Sequence, residues 1–385
     1  YCILFYFITF SVIKFYIILI VLNLKFSKSK FLYYFDFFYM WVLMGWNYSV
    51  ADYDVYFTRY THPEIYGTLE PLYVILQNFG KLVGLSYNQF LACLSFVFLL
   101  TRMILIKRMS VHPNYVIGLY LLFPFIMDVT QIRMFYATTF VLAGIYILQK
   151  KKKHSNLLFL LFVILASMIH SACIIYLVVL IAQNSKKINE KKYLQISVLV
   201  CLVLYAFLPT GILYGVLANI CRAFGFGRKF IETTIATSKA YKITHKITYM
   251  IEILIFFFAM AVILQRAKKS ISHNYSVDHN NVLSSFCEKD FLDLCSKINY
   301  SLLISLPLAW FSGDIYRVQH AMTIIFYIAV SNSNSFRSNI RGKVKINQSY
   351  IAGFIVVFMF LFLIGIPSLR ETVFVPVFFN NELIG

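Results

Sequence analysis

The chain has 385 residues, 60% of them hydrophobic and 18% aromatic with only 13% charged, and its mean hydropathy is +0.74. An ordinary soluble domain carries roughly 25% charged residues, so a soluble fold is excluded. The formal net charge of +19 reads first as the lysine and arginine excess of cytoplasmic membrane loops, and no nucleic-acid partner is expected.

Apolar runs near the length that crosses ~30 Å of hydrocarbon recur from end to end. They lack the alternation and turn signals of barrel strands, and backbone in lipid must satisfy its own hydrogen bonds. The expected fold is therefore all-α: a polytopic integral membrane protein with about ten full transmembrane helices plus one broken or re-entrant helix pair, in a single domain over 1–385. In chain order the runs fall at about 1–24, 31–49, 86–106, 114–128, 131–149, 193–214, 247–265, 297–312, 315–331 and 349–369. The first is too long and too poorly flanked for a cleaved leader and is read as a membrane helix. The basic clusters "KFSKSK" (25–30), "KRMSVH" (107–112), "KKKKH" (150–154), "KKINEKK" (186–192), "RAKKS" (266–270) and "RSNIRGKVK" (337–345) fix sidedness when all are placed in the cytoplasm. Outer loops then lie at about 50–85 and 215–246, and a cytoplasmic loop at about 266–296.

One run breaks the alternation. Residues 155–183 lie between two basic clusters and must start and end on the same side, yet one helix of that length would span ~43 Å. A hairpin broken near "MIHSAC" fits, with His170 at its apex; such backbone is tolerated at depth only inside protein or lining a cavity.

The remaining polar residues gather toward the outer side. "ADYDVYFTRY" spaces Asp52, Tyr56 and Tyr60 along one helix face, a carboxylate beside two rings that suits a sugar. An interfacial aromatic belt accounts for the tyrosines equally well. "EPLYVILQNFGKLVGL" (70–85) predicts a surface amphipathic helix opened by Pro71, with Glu70 placed either for the helix dipole or for function. In "FPFIMDVTQIRMFYATT" (123–139), Asp128 and Arg133 admit a local ion pair. Otherwise Gln131 and Arg133 open a helix as donors for phosphate oxygens. "SGDIYR" spaces Asp314 and Arg317 three apart after Gly313, which a turn with a salt bridge also explains. The outer loop 221–246 is unusually basic, with Arg222, Arg228 and Lys229 among its cations, and suits an anionic ligand. His273, Asp278 and His279 read as solvated linker, and Cys93, Cys173 and Cys201 as small core residues without ligand spacing. No metal or cofactor is expected.

The ordered set of "D…Y…Y" (Asp52, Tyr56, Tyr60), "EPLY" (Glu70 to Tyr73), "Q-x-R" (Gln131, Arg133), "IHSA" (Ile169 to Ala172) and "DIYR" (Asp314 to Arg317) resembles the bacterial EpsG-like and Wzy-type polysaccharide polymerases over about 45–330. The resemblance implies a glycosyltransferase-type enzyme that joins undecaprenyl-diphosphate-linked repeat units at the outer face of the bacterial inner membrane. Its product would be an O-antigen, capsule or exopolysaccharide, and a chain-length regulator and a flippase would be its partners. An arginine that often precedes the "D…Y" motif in the family is replaced here by Trp46 and Asn47. Arg133 and Arg317 are then the expected diphosphate clamps, with Arg228 or Lys229 beside them. Asp52 or His170 is the expected base, the other orienting the acceptor. Two other readings remain: a glycosyltransferase using a polyprenyl monophosphate, with Asp52 and Asp54 as its acid pair, and a flippase for the lipid-linked unit.

Overall fold

The computed structural model describes residues 2–66, 70–150, 153–207, 215, 219, 243–270, 289–310, 315–335, 353–359, 361, 369–379 and 381–383. Among them every regular element is helical, and the one bridge, between Asn47 and Asn381, is isolated. The all-α expectation holds. Three helices, Tyr87–Met109, Ile132–Gln149 and Lys246–Lys269, are long and apolar enough to cross a membrane.

Helix α1 (Cys2–Lys25) turns into α2 (Lys30–Gly45), whose start is fixed by Ser29 accepting the Leu32 N–H. Short helices α3 (Tyr53–Thr61), α4 (Pro63–Tyr66) and α5 (Pro71–Leu82) follow. The amphipathic helix predicted from Pro71 is α5, with the proline in its first turn, where its missing N–H costs nothing. A reciprocal capping box between Ser86 and Gln89 opens α6 (Tyr87–Met109).

The run 114–128 is not the single crossing expected of it. It divides into α7 (Pro113–Leu122) and α8 (Phe125–Thr130) at Phe123–Pro124, because proline has no N–H to continue the ladder and its ring crowds the preceding turn. The ten residues of α7 reach only ~15 Å. Gln131 then separates α8 from α9 (Ile132–Gln149), which lies mostly inside the body.

The broken hairpin is present. After α10 (Ser155–Ser167) the chain reverses through 168–170 into a 3-10 turn (Ser171–Leu177) and α11 (Val178–Asn184). Asn156 Nδ2 donates to Asn184 Oδ1 at 3.3 Å, so the run begins and ends at one level. The rest comprises α12 (Glu190–Phe207), α13 (Ile243–Ser270), α14 (Lys289–Ser301), α15 (Ser305–Leu308), α16 (Tyr316–Ala321), α17 (Thr323–Ser335) and α18 (Val375–Phe379). The expected boundary between loop and span near 296 falls inside α14, which is continuous across it.

Several turns assigned to the cytoplasm meet. Asn114 Nδ2 donates to the carbonyls of Phe26 and Ser29 at 3.0 and 2.8 Å. Asn332 takes the Val111 N–H and donates to Met109 O. Lys297 Nζ donates to Ser185 O at 2.8 Å, and Lys268 is paired with Glu190. The first turns of α6 and α9 and the last turn of α10 lie at the opposite ends of their helices from these basic turns. That end carries the candidate site.

Candidate functional site

Arg133, in the first turn of α9, is the hub. Its Nη1 donates to Glu70 Oε2 in a nearly solvent-free ion pair, and its Nε donates to the Tyr56 hydroxyl at 3.0 Å. The guanidinium carbon lies 5.0 Å from the Tyr56 ring centroid and 5.7 Å from that of Tyr73, within cation–π range. Glu70 spends its other oxygen on the Ser171 N–H at 3.2 Å, and α5 is docked on the hairpin break by Leu72 N–H donating to Met168 O at 2.9 Å. Residues of the "D…Y…Y", "EPLY", "Q-x-R" and "IHSA" stretches, spread over 56–171, therefore form one cluster.

Glu70 is the N-cap of α5 but makes no side-chain capping bond; its carboxylate is directed to tertiary partners instead of the helix dipole. Burial pushes the Glu70 carboxyl up, yet Arg133, His170 and backbone N–H groups outweigh it and hold it below the usual carboxylate range. The group contributes stability above the ordinary carboxylate pKa, and that contribution is lost only as pH falls through the depressed value. Burial likewise raises the Tyr56 phenol, so it stays protonated and keeps a hydroxyl hydrogen to donate while accepting from Arg133.

The seam residue Asp128 is not part of this cluster. It does not pair with Arg133: it is buried, bonded at 2.7 Å to both Arg102 Nη1 and the Tyr120 hydroxyl. Arg102, from the middle of α6, also donates to Tyr120, Thr139, Thr138 and the Phe135 carbonyl. All five of its N–H groups are thereby matched, and Asp128 is held where a bare charge would be untenable. Arg133 differs: among the described residues only its Nε and one Nη1 hydrogen find protein acceptors. A saturated arginine is a structural lock, whereas one with open donors at a helix start can take a ligand.

Other expected residues fall at varying removes. Tyr60, although on the α3 face with Tyr56, turns away to donate to Leu85 O at 2.9 Å and stacks on Phe90. Asp52 precedes α3, partly exposed and without a capping bond, and acts electrostatically on Tyr56. His170 stands before the 3-10 turn and acts on Glu70. Gln131 is buried and joins α8 to α9 through its backbone, its side chain capping nothing. Arg317 reaches over the Tyr316 ring, 6.0 Å from its centroid. Its helix α16 packs on α9 and on the 3-10 turn after His170, and Tyr176 donates to Val318 O at 2.8 Å. Asp314, Arg222, Arg228 and Lys229, like His273, Asp278 and His279, lie outside the described residues. Among the described residues no cluster of His, Cys, Asp and Glu is arranged to hold a metal.

Two buried groups escaped the sequence reading. Arg102 carried a visible signal, a lone cation inside an apolar run. So did Glu252 in α13, whose Oε1 lies 3.0 Å from His320 Nε2 of α16, both nearly inaccessible. Phe123, Phe256 and Phe358 surround that imidazole.

Helices of membrane-crossing length, with a charged and aromatic cluster at one end, place the chain in the class of helical membrane proteins. The chain belongs to the EpsG family, whose family model matches residues 30–376; its members are Wzy-type polysaccharide polymerase-like membrane proteins. No curated protein and no solved structure matches the chain.

Proposed function

We propose that the protein is a polymerase that joins undecaprenyl-diphosphate-linked oligosaccharide repeat units at the outer face of the bacterial inner membrane. The observation that carries this reading is the convergence of Tyr56, Glu70, Arg133 and the Ser171 N–H on one locus, with Arg133 retaining unused donors. In the reaction, the bond from the sugar's anomeric carbon to the diphosphate oxygen breaks, and a new bond forms to an acceptor hydroxyl. The hydroxyl proton passes to a base, and undecaprenyl diphosphate departs with an added negative charge.

Arg133 is assigned to the developing charge of the diphosphate, with Arg317 as its second cation. Glu70 fixes the Arg133 guanidinium, and the Tyr56 hydroxyl is a donor for a sugar oxygen. Asp52 or His170 takes the proton. A chain-length regulator and a flippase are the proposed partners.

Purified protein supplied with a lipid-linked repeat unit is expected to give a ladder of products. A single sugar transferred from a polyprenyl monophosphate would overturn the reading in favour of a simple glycosyltransferase. Within the same assay Tyr56→Phe, which removes the acceptor of Arg133 Nε, is expected to lower polymerisation about tenfold, roughly the effect of one lost hydrogen bond to a charged group. Tyr60→Phe is expected to cost ~1 kcal/mol of stability and leave the ladder intact. Equal ladders from both variants would remove Tyr56 from the site.

A further inference from the structure

At the lysine-rich end, α12, α13, α14 and the turn after α11 leave an open cleft of about 820 Å³. Five lysines and two carboxylates line it. Both carboxylates pair with Lys268, Glu190 directly and Asp293 at 2.9 Å, and Asp293 also acts electrostatically on Lys297. Asp290 lines an adjoining smaller cleft. Lys297 is almost wholly buried, and among the described residues its ammonium has one hydrogen-bond acceptor, the Ser185 carbonyl, beside the Tyr193 ring. An ammonium carries three donors, so this buried charge is under-satisfied in the cleft wall. Lys186, Lys269 and Lys289 are exposed around it.

The walls identify the ligand's neighbourhood. Leu199 and Leu202 on α12 and Ile255, Phe258 and Val262 on α13 are exposed apolar side chains, as on helices that face acyl chains. The cleft opens where these faces end and lysines begin, which is the level of lipid headgroups. It is also remote from the polymerase cluster. From Tyr249, which stacks on Tyr316, to Lys268 along α13 is ~28 Å of helix.

We propose that this cleft is a binding site for the phosphate headgroup of an anionic phospholipid. Lys186, Lys269 and Lys289 attract it, and Lys297 supplies the buried donors. The site does not depend on the polymerase assignment and stands or falls separately from it.

The test uses the full chain in nanodiscs of phosphatidylcholine with increasing phosphatidylglycerol, reading the lipid retained on the protein by native mass spectrometry. The wild type is expected to retain phosphatidylglycerol preferentially. The variant Lys186→Gln/Lys269→Gln/Lys289→Gln, changed only at exposed positions, is expected to bind it about tenfold more weakly or worse, with unchanged thermal unfolding. Equal retention by variant and wild type would overturn the site. A wild type that shows no preference for phosphatidylglycerol but binds inorganic phosphate through the same lysines would assign the cleft to a soluble anion and overturn the headgroup.

Discussion

Arg133→Ala is expected to abolish chain elongation, a loss of at least a hundredfold, the usual effect of deleting a donor aimed at developing transition-state charge. Single lipid-linked repeat units should still accumulate, since their assembly precedes this step. A gel of the polysaccharide beside an immunoblot of the protein reads both. The blot matters because the substitution does two things: it removes the proposed clamp, and it strands the Glu70 carboxylate in a nearly solvent-free setting. Breaking a buried pair from one side costs ~3–5 kcal/mol, enough to deplete the protein by itself. The variant Glu70→Gln/Arg133→Gln avoids that stranded charge and is expected to accumulate normally while remaining inactive. Arg133→Lys keeps the charge but not the fork, and is expected to be weak, since the Nε bond to Tyr56 and the Nη1 bond to Glu70 require a planar guanidinium. A normal ladder from Arg133→Ala at unchanged protein level would refute the assignment of Arg133 to the diphosphate.

Much of this arrangement was legible before any coordinates. Composition gave the helical class, Pro71 and the amphipathic pattern gave α5, and the alternation of basic clusters required a reversal near His170, where the chain does fold back. Those features are local, or follow from a rule that acts on whole segments. Which charges pair is neither. Asp128 and Arg133 are five residues apart in sequence and flank the α8–α9 junction, yet the break at Gln131 separates them. Each finds its partner in another element: Asp128 in α6, Arg133 at the N-cap of α5. The Pro124 break was equally readable in principle, because a proline inside an apolar run interrupts the helix; the hydropathy of 114–128 concealed it. Tyr60 shows the limit of face arithmetic. Spacing put it on the side of Tyr56, but its hydroxyl donates to the Leu85 carbonyl in the α5–α6 turn and its ring stacks on Phe90.

The Arg102–Asp128 pair predicts the opposite phenotype from Arg133. Asp128→Ala is expected to destabilise the protein by ~3–5 kcal/mol, because it leaves a guanidinium buried in the body with its best acceptor gone. Arg102→Ala should be at least as damaging, since it leaves the buried Asp128 carboxylate without its cation and removes the donors that Thr138, Thr139 and the Phe135 carbonyl accept from Arg102. The readout is loss of folded protein from the membrane and a lowered thermal midpoint in detergent, with residual activity falling only in proportion to the amount of protein. The variant Arg102→Met/Tyr120→Phe/Asp128→Leu removes both charges and the hydroxyl bonded to them, and apolar replacement of a whole buried pair is often neutral or stabilising. It is expected to recover much of the protein and a ladder of ordinary length. If Asp128→Ala instead accumulated normally and failed to polymerise, Asp128 would act on substrate and the lock would be the wrong description. Two arginines, both paired with a buried carboxylate, are thus separated by what their remaining donors do. Those of Arg102 end in protein, and those of Arg133, open among the described residues, are the ones the proposed function assigns to the diphosphate.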